Sequence, residues 1–368
     1  MLFALTERPA FALPTMIRLG YSECGACHIS PQGGGPLNTY GRGIDRAQSL
    51  IGGEYAPGTD DFTRVVTLGG RMTQDVRTVI QMQASHAPDK STQTNWWPRL
   101  MYRNVTDIAK GFRVSATLTG ETEDRLRPSL SYDPHSESSS VFVNTALLQY
   151  RTGQVEFAVG RDQLPTGINV PDLAPWIKSR NRLGYYDAPA QVKMFWTGAR
   201  VHLAPFVYGP GGNEAPGEGE KGGGTLAEFV AGQRTVLGAT VLKGTAPAGD
   251  RRMLGAYVRL GFGRWGVLAE HNRTERTREA LAGTSVMQDA SYGQLFWAAR
   301  EWLVLSAIGE RLHVDQPFEE KALAGKLDLT ARLAPQATIG VNARVQRDQI
   351  TGRLSTSVML QAAFKTAR

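Results

Sequence analysis

Three observations predict an all-β fold for this sequence, a closed antiparallel barrel of about sixteen strands. From residue 61 to the C-terminus, apolar and polar residues alternate with period two. Tight turns (Thr152-Gly153, Gly263-Arg264, Arg300-Glu301, Pro335-Gln336) take turns with longer polar connections at 122–138, 161–189, 209–224, 275–285 and 314–321. No apolar run approaches the length of a membrane-spanning helix, and mean hydropathy is only slightly negative. A barrel keeps that balance because its apolar residues occupy every second position.

The C-terminal strands show the pattern best. Leu323, Gly325, Leu327, Leu329, Ala331 and Leu333 alternate with Ala324, Lys326, Asp328, Thr330 and Arg332. After a turn, Ala337, Ile339, Val341, Ala343 and Val345 do the same. The last strand sets Leu354, Val358, Leu360 and Phe364 against Ser355, Ser357 and Gln361. Upstream, Leu254 to Phe262 and Val155 to Val159 repeat it. Each strand therefore has one apolar and one polar face. The polar face carries charges in mid-strand: Glu156, Arg200, Arg259, Glu270, Lys326, Asp328, Arg332 and Arg344. In a soluble sandwich that face meets water. In an outer-membrane barrel the apolar face meets lipid and the charges line the lumen. Successive hairpins, little sign of Greek-key crossovers and the terminal aromatic Phe364 favour the outer-membrane barrel.

The first sixty residues follow another rule. Residues 1–12 read as the remnant of an export signal, with Ala10-Phe11-Ala12 as an A-x-A cleavage site. Residues 13–60 form a compact segment and its linker, and 61–368 form the barrel. The segment holds Cys24-Gly25-Ala26-Cys27-His28, the C-x-x-C-H signature of covalent c-type haem attachment. Two thiols three residues apart can each add to one haem vinyl group, and the next histidine then reaches the iron. These are the chain's only two cysteines, which rules out a disulfide framework and suits an oxidising compartment. A thioredoxin-type dithiol needs a βαβ context that is missing here, and a zinc site needs a second ligand pair. The glycine- and proline-rich stretch after the motif lets backbone wrap a flat cofactor, with Leu37 and Tyr40 as candidate packing groups. Residues 43–51 have room for one or two helical turns. About forty residues are too few to bury a haem, so the barrel or a partner must enclose it.

The second axial ligand has several candidates. Among the histidines outside the motif, His202 falls on the lumen phase with Arg200, Ala204 and Phe206. His271 falls on the apolar phase, His86 and His135 in or near loops, and the phase at His313 is unclear. Met16, Met72 and Met82 are thioether alternatives. Lumen arginines, Arg259 foremost with Arg200, Arg332 and Arg344, can pair with haem propionates. A net charge of +7, scattered along the chain without a basic block, gives no sign of nucleic-acid binding.

The stretch Pro14 to Arg42, with Val159-Gly160-Arg161 and Leu164-Pro165-Thr166-Gly167, resembles the outer-membrane monohaem cytochrome–porin fusions known from iron-oxidising bacteria. The resemblance covers the whole architecture, but only the haem motif is specific. It implies one haem c held in or at the mouth of a porin-like barrel, passing electrons across the outer membrane. The expected role is that of an electron-transfer cytochrome rather than a classical enzyme. The expected partners are outer-membrane lipid and a periplasmic cytochrome or other redox protein. The alternative is an outer-membrane porin or channel whose haem-bearing plug is structural.

Overall fold

The computed structural model describes residues 14–33, 37–51, 72–87, 90–121, 125–128, 134–137, 141–170, 175–184, 187–211, 217–278, 283–317 and 319–365. The export-signal remnant and the linker expected over 52–60 lie outside them. The strands, in order, are β1 (Met72–Ala87), β2 (Lys90–Ala109), β3 (Phe112–Glu121), β4 (Arg125–Pro128), β5 (Pro134–Glu137), β6 (Val141–Thr152), β7 (Val155–Arg161), β8 (Ala190–Thr197) and β9 (Val201–Gly209). They continue with β10 (Lys221–Gly232), β11 (Thr235–Ala246), β12 (Gly249–Phe262), β13 (Trp265–Arg278), β14 (Thr284–Arg300), β15 (Leu303–Val314), β16 (Glu320–Ala334), β17 (Ala337–Asp348) and β18 (Leu354–Lys365). β4 and β5 form a separate hairpin within the β3–β6 connection. The other sixteen close into one barrel, each paired with its neighbour along the chain and β18 paired with β1. Thr78 faces Phe364 across that seam, and closure leaves the barrel no open edge.

Side-chain parity decides what each face meets. Leu327, 67% exposed, and Leu254, 61% exposed, point outward with Leu329, Val341, Val345, Val358 and Leu360. At the short-turn end the outer face ends in aromatics: Phe112 against Tyr150, Trp265 stacked on Trp297 at 5.5 Å, and Phe364. An outward apolar band with an aromatic girdle is what a lipid-facing barrel requires. Cysteines placed at Leu327 and Leu329 are therefore expected to react with lipid-phase probes. Cysteines at Lys326 and Asp328 should react instead with small water-soluble ones. Equal aqueous labelling of both pairs would contradict a membrane-embedded barrel.

The interior departs from the simple alternation rule. Leu226, Val236, Leu268, Phe296 and Leu312 all point inward and are buried. They are covered by residues 162–170 and 175–184, described parts of the connection expected over 161–189 as a polar rim loop, which instead fold into the lumen. Ile168, Trp176 and Ile177 from this loop join the inward apolar cluster. Strand carboxylates hold it there. Trp176 N donates to Glu310 Oε2 at 2.6 Å, and Ile168 N donates to Glu270 Oε2 at 2.8 Å. Lys178, on the short helix α2 (Trp176–Ser179), brings its Nζ to 3.0 Å from Glu270 Oε1. Buried carboxylates need such partners, and the loop backbone supplies them.

The N-terminal segment packs inside the same barrel. A 3-10 turn over Pro14–Leu19 puts Ile17, fully buried, into the cluster with Trp176 and Phe296. Arg18 reaches Glu301 at 2.9 Å. A Cβ on Gly261 of β12 would lie 2.4 Å from the Arg18 backbone, so only glycine lets the two chains approach so closely. Helix α1 (Thr39–Ala47) begins earlier than the turns expected over 43–51, because Asn38 caps it by accepting from Gly41 N at 2.8 Å. Asp45 of α1 then pairs with Lys365 at 2.9 Å and Arg332 at 3.1 Å. Leu50 N and Ile51 N donate to the carbonyls of Arg332 and Leu333. The barrel residues met by the segment, Gly261, Glu301, Arg332 and Leu333, all lie near short turns, so the segment sits toward that rim.

Candidate cofactor site

The C-x-x-C-H motif starts a 3-10 turn at Cys24, and His28 N donates back to Cys24 O at 2.9 Å. His28 also bridges to Leu37. Asn38 ties the motif down. Its Nδ2 donates to Ala26 O at 3.0 Å and Gly25 O at 3.3 Å, and its backbone N donates to Cys27 O at 2.9 Å. Helix α1 packs directly on the motif, since a Cβ on Gly41 would lie 2.1 Å from Cys27 O. Gly33, at φ +81°, is the other close approach: its Cβ would meet Cys24 Sγ at 3.3 Å. Asn38, Gly33 and Gly41 carry no sequence signature of their own, so reading the sequence alone misses them.

Both cysteines are free thiols, Cys24 half-buried and Cys27 buried. Burial pushes both thiols up, Cys27 to about 11 with the neighbouring Cys24 adding to it. For Cys24, Arg259 opposes the burial without reversing it.

The motif lines a cavity of 520 Å³ inside the barrel, a volume typical of cofactor pockets at roughly 300–1,000 Å³. Across it stand His202 of β9, Glu228 of β10 and Arg259 of β12, each near the short-turn end of its strand. Strand register makes His202 the direct partner of Glu228. His202 Nδ1 lies 3.2 Å from Glu228 Oε2. A carboxylate only accepts, so Nδ1 carries the proton and, in the neutral ring, Nε2 carries the lone pair. That Nε2 is buried, makes no hydrogen bond, and faces Glu23 Oε1 of the segment at 3.6 Å. The other Glu228 oxygen accepts from Arg259 Nη2 at 2.6 Å and from the Tyr257 hydroxyl at 2.5 Å. Arg259 continues to Ser22 O at 3.1 Å and Cys24 Sγ at 3.8 Å. One polar network thus joins three strands to the residue pair just before the motif. A histidine whose far nitrogen is fixed by a carboxylate is the usual setting of an imidazole metal ligand. The donor set and the cavity fit a c-type haem.

The remaining sequence candidates are dispersed. Leu37 is half-buried beside His28, and Tyr40, 50% exposed, meets the Tyr21 hydroxyl; neither lines the cavity. Of the four arginines expected at the propionates, only Arg259 lines it. Arg200 is exposed in the β8–β9 turn, because strand β9 starts only at Val201. Arg332 serves Asp45, and Arg344 serves Glu310 at 2.6 Å while stacking over Trp176. The cavity wall carries Arg77, Arg99, Arg103 and Arg151 instead. These sit on β1, β2 and β6, whose weaker alternation hid their phase. Among the described histidines only His28 and His202 line the cavity. His271 is exposed on the outer face in mid-strand, and His86 is exposed. The side chains of Met72 and His135 lie outside the described residues. Met82 does not line the cavity, whereas Met16 and Met101 do.

No protein-family model and no curated protein matches this sequence. Solved structures do match in shape. OprB of Pseudomonas putida at high pH superposes with a TM-score of 0.62 at 8% identity, over 81% of this chain and 95% of that one. OmpT of Vibrio cholerae lacking loop L8 gives 0.59 at 11% identity, over 80% and 100%. An anion-selective porin from Comamonas acidovorans gives 0.57 at 10% identity, over 80% and 100%. At such identities what is shared is the fold, a porin-like closed barrel.

Proposed function

We propose that this chain is an outer-membrane barrel of a Gram-negative bacterium whose lumenal plug carries one covalent haem c and passes electrons across the membrane. The observation that carries the reading is a C-x-x-C-H motif with free thiols in the wall of a lumenal cavity, across from a carboxylate-held imidazole. When bound, a c-type haem supplies a one-electron couple. The chain's residues do the rest. Cys24 and Cys27 would tether the cofactor and His28 would ligate its iron. His202, aimed by Glu228, would be a second protein ligand to the iron or would cover it. Arg259, with the wall arginines, would offset propionate charge. The inward residues 162–170 and 175–184, with the segment itself, would restrict water. A porin alone needs no haem, and a periplasmic cytochrome alone needs no barrel. Their union has a use where electrons must cross an insulating hydrocarbon band about 25 Å tall. The motif's position toward the short-turn rim, periplasmic in such barrels, suits a periplasmic redox partner.

A second reading is favoured by the shape matches, one of which is an anion-selective porin by name: a solute channel whose haem-bearing plug is structural. One experiment separates the two. The haem-loaded chain is placed in vesicles that enclose an oxidised cytochrome, and an impermeant reductant is added outside. A conduit reduces the enclosed cytochrome while small sugars stay excluded, and His202→Ala shifts the midpoint potential without loss of covalent haem. A channel lets sugars through and shows no electron transfer above empty vesicles, which would overturn the conduit. An unchanged spectrum and potential in His202→Ala would remove His202 from the iron.

A further inference from the structure

Four successive hairpins on the short-turn rim each carry one arginine at the turn. Arg200 stands in the β8–β9 turn, Arg234 in β10–β11 and Arg264 in β12–β13, and Arg300 closes β14 at the β14–β15 turn. Backbone contacts run from each hairpin to the next. Val230 N donates to Arg200 O at 2.8 Å, Gly261 N to Arg234 O at 2.9 Å and Ala298 N to Arg264 O at 2.8 Å. The four therefore form a continuous arc along the half of the rim made by β8 to β15. Arg200, Arg264 and Arg300 are exposed, and Arg234 is half-buried. Arg264 and Arg300 each donate from Nη1 to Ala299 O at 3.4 Å, so two like charges share one neutral acceptor.

The carboxylates on this side are committed elsewhere. Glu301 is the one carboxylate within these turns, and its Oε2 takes Arg18 at 2.9 Å. Glu228, deeper on β10, takes Arg259 and the Tyr257 hydroxyl. Glu23 faces His202, and Asp45 holds Lys365 and Arg332. Among the described residues none of the four arc arginines forms an ion pair. The rest of the short-turn rim is different. Pro335-Gln336 of the β16–β17 turn carries no charge, and Arg151 faces Glu156 in register. Lys110 of the β2–β3 turn stands on the opposite side of the barrel. A headgroup anchor needs charge all round the barrel, so it does not account for an arc on one side.

The arc stands beside the chain that leads into the C-x-x-C-H motif. A Cβ on Gly20 would lie 3.5 Å from Gln233 O of the β10–β11 turn, and Ser22 O accepts from Arg259 of β12. At the other end of the arc the segment exposes Leu50 and Ile51, the latter 74% exposed. Leu50 N donates to Arg332 O, and Arg332 N donates to Trp302 O, two residues past Arg300. An apolar patch bordered by charge has the core and rim of a protein interface. We propose that this arc docks an acidic redox protein of the periplasm, which takes one electron from the reduced haem iron with no atom transferred. The proposal rests on the conduit reading and adds the chemistry of the partner, a cluster of carboxylates around its redox centre. Opposite charge speeds the encounter and turns that centre toward the motif.

The test uses the full haem-loaded chain in nanodiscs of zwitterionic lipid. The probes are oxidised cytochrome c, a basic protein, and the same protein with its lysines succinylated, which is acidic. Binding is read by biolayer interferometry, and electron transfer from the reduced chain by stopped-flow absorbance. At low salt the acidic probe should bind tighter and be reduced faster than the basic one, and salt should remove that advantage by screening the arc. A quadruple variant, Arg200→Gln, Arg234→Gln, Arg264→Gln and Arg300→Gln, should associate with the acidic probe on the order of tenfold more slowly, within the range that electrostatic steering spans. Lys110→Gln, which removes a charge outside the arc, should change the rate far less than Arg264→Gln. Heat-modifiable gel mobility and an unchanged haem spectrum report that the variants are folded. Equal binding of both probes by the wild type would overturn the proposal, as would undiminished binding of the acidic probe by the folded quadruple variant. So would phospholipid that the wild type retains through detergent extraction and the quadruple variant does not, since headgroups would then occupy the arc. A chain without covalent haem fails the conduit reading by its spectrum alone. Arginine-dependent binding of the acidic probe would still support the docking surface, so the two failures are distinguishable.

Discussion

Cys24→Ala combined with Cys27→Ala is expected to abolish covalent haem completely while leaving a folded barrel. Thioether attachment needs both the sulfur atoms and their three-residue spacing, and the chain has no other cysteine to substitute. The barrel should survive, because closure rests on sixteen strand pairings in which neither cysteine takes part. Haem-dependent peroxidase staining of denatured protein is the measurement, with heat-modifiable mobility as the folding control. A covalent c-type signal in the double variant would sink the haem assignment. A single Cys24→Ala should leave at most one thioether, visible as a red-shifted reduced spectrum. The double variant also separates the two functional readings. A conduit loses all electron transfer, whereas a solute channel keeps its flux unless the plug loosens.

Asp45→Ala should have the largest effect on the plug itself. Asp45 is a buried carboxylate on α1 held by Lys365 of β18 and Arg332 of β16. Removing one member of a buried ion pair typically costs about 3–5 kcal/mol, because the remaining charge stays desolvated without its partner. Here two cations would lose the same carboxylate. The cost falls on the contact between plug and wall rather than on the wall, whose strand ladder is untouched. The expected result is rapid proteolysis within residues 14–51 in detergent while the barrel stays resistant. Asp45→Asn should give an intermediate rate, since its shape is kept and its charge lost. Burial raises the Asp45 carboxyl, but Arg332 and Lys365 outweigh it and hold the group below its ordinary range. The anchor is therefore fully present above the ordinary carboxylate range and weakens only as pH falls through that depressed value. Protection of 14–51 should be flat across neutral pH. If Asp45→Ala leaves the protease pattern unchanged, the plug is held by its apolar contacts at Ile17 and not by this anchor.

How far the sequence alone carries can be judged residue by residue. Period-two alternation was enough for the strand count and for the outward set, because a closed barrel ties parity to environment: Leu327, Val341 and Val358 meet lipid and Lys326 and Asp328 do not. The same parity placed His202 and Arg259 inside, and a local spacing rule singled out Cys24, Cys27 and His28. Parity could not say that Leu226 and Phe296, apolar on the inward phase, would be covered. That depends on residues 162–170 and 175–184 turning inward, which they do because Glu270 and Glu310, far along the chain, need the N–H groups of Ile168 and Trp176. Nor could it tell Arg259 from Arg332 and Arg344. All three face the lumen, and only contacts between residues far apart in sequence decide which meets the cavity and which is spent on Asp45 or Trp176. Local periodicity therefore determined which way each side chain points. Cross-strand register and the chains folded into the lumen decided what it meets there, because a lumen brings together residues whose separation along the chain carries no periodic trace.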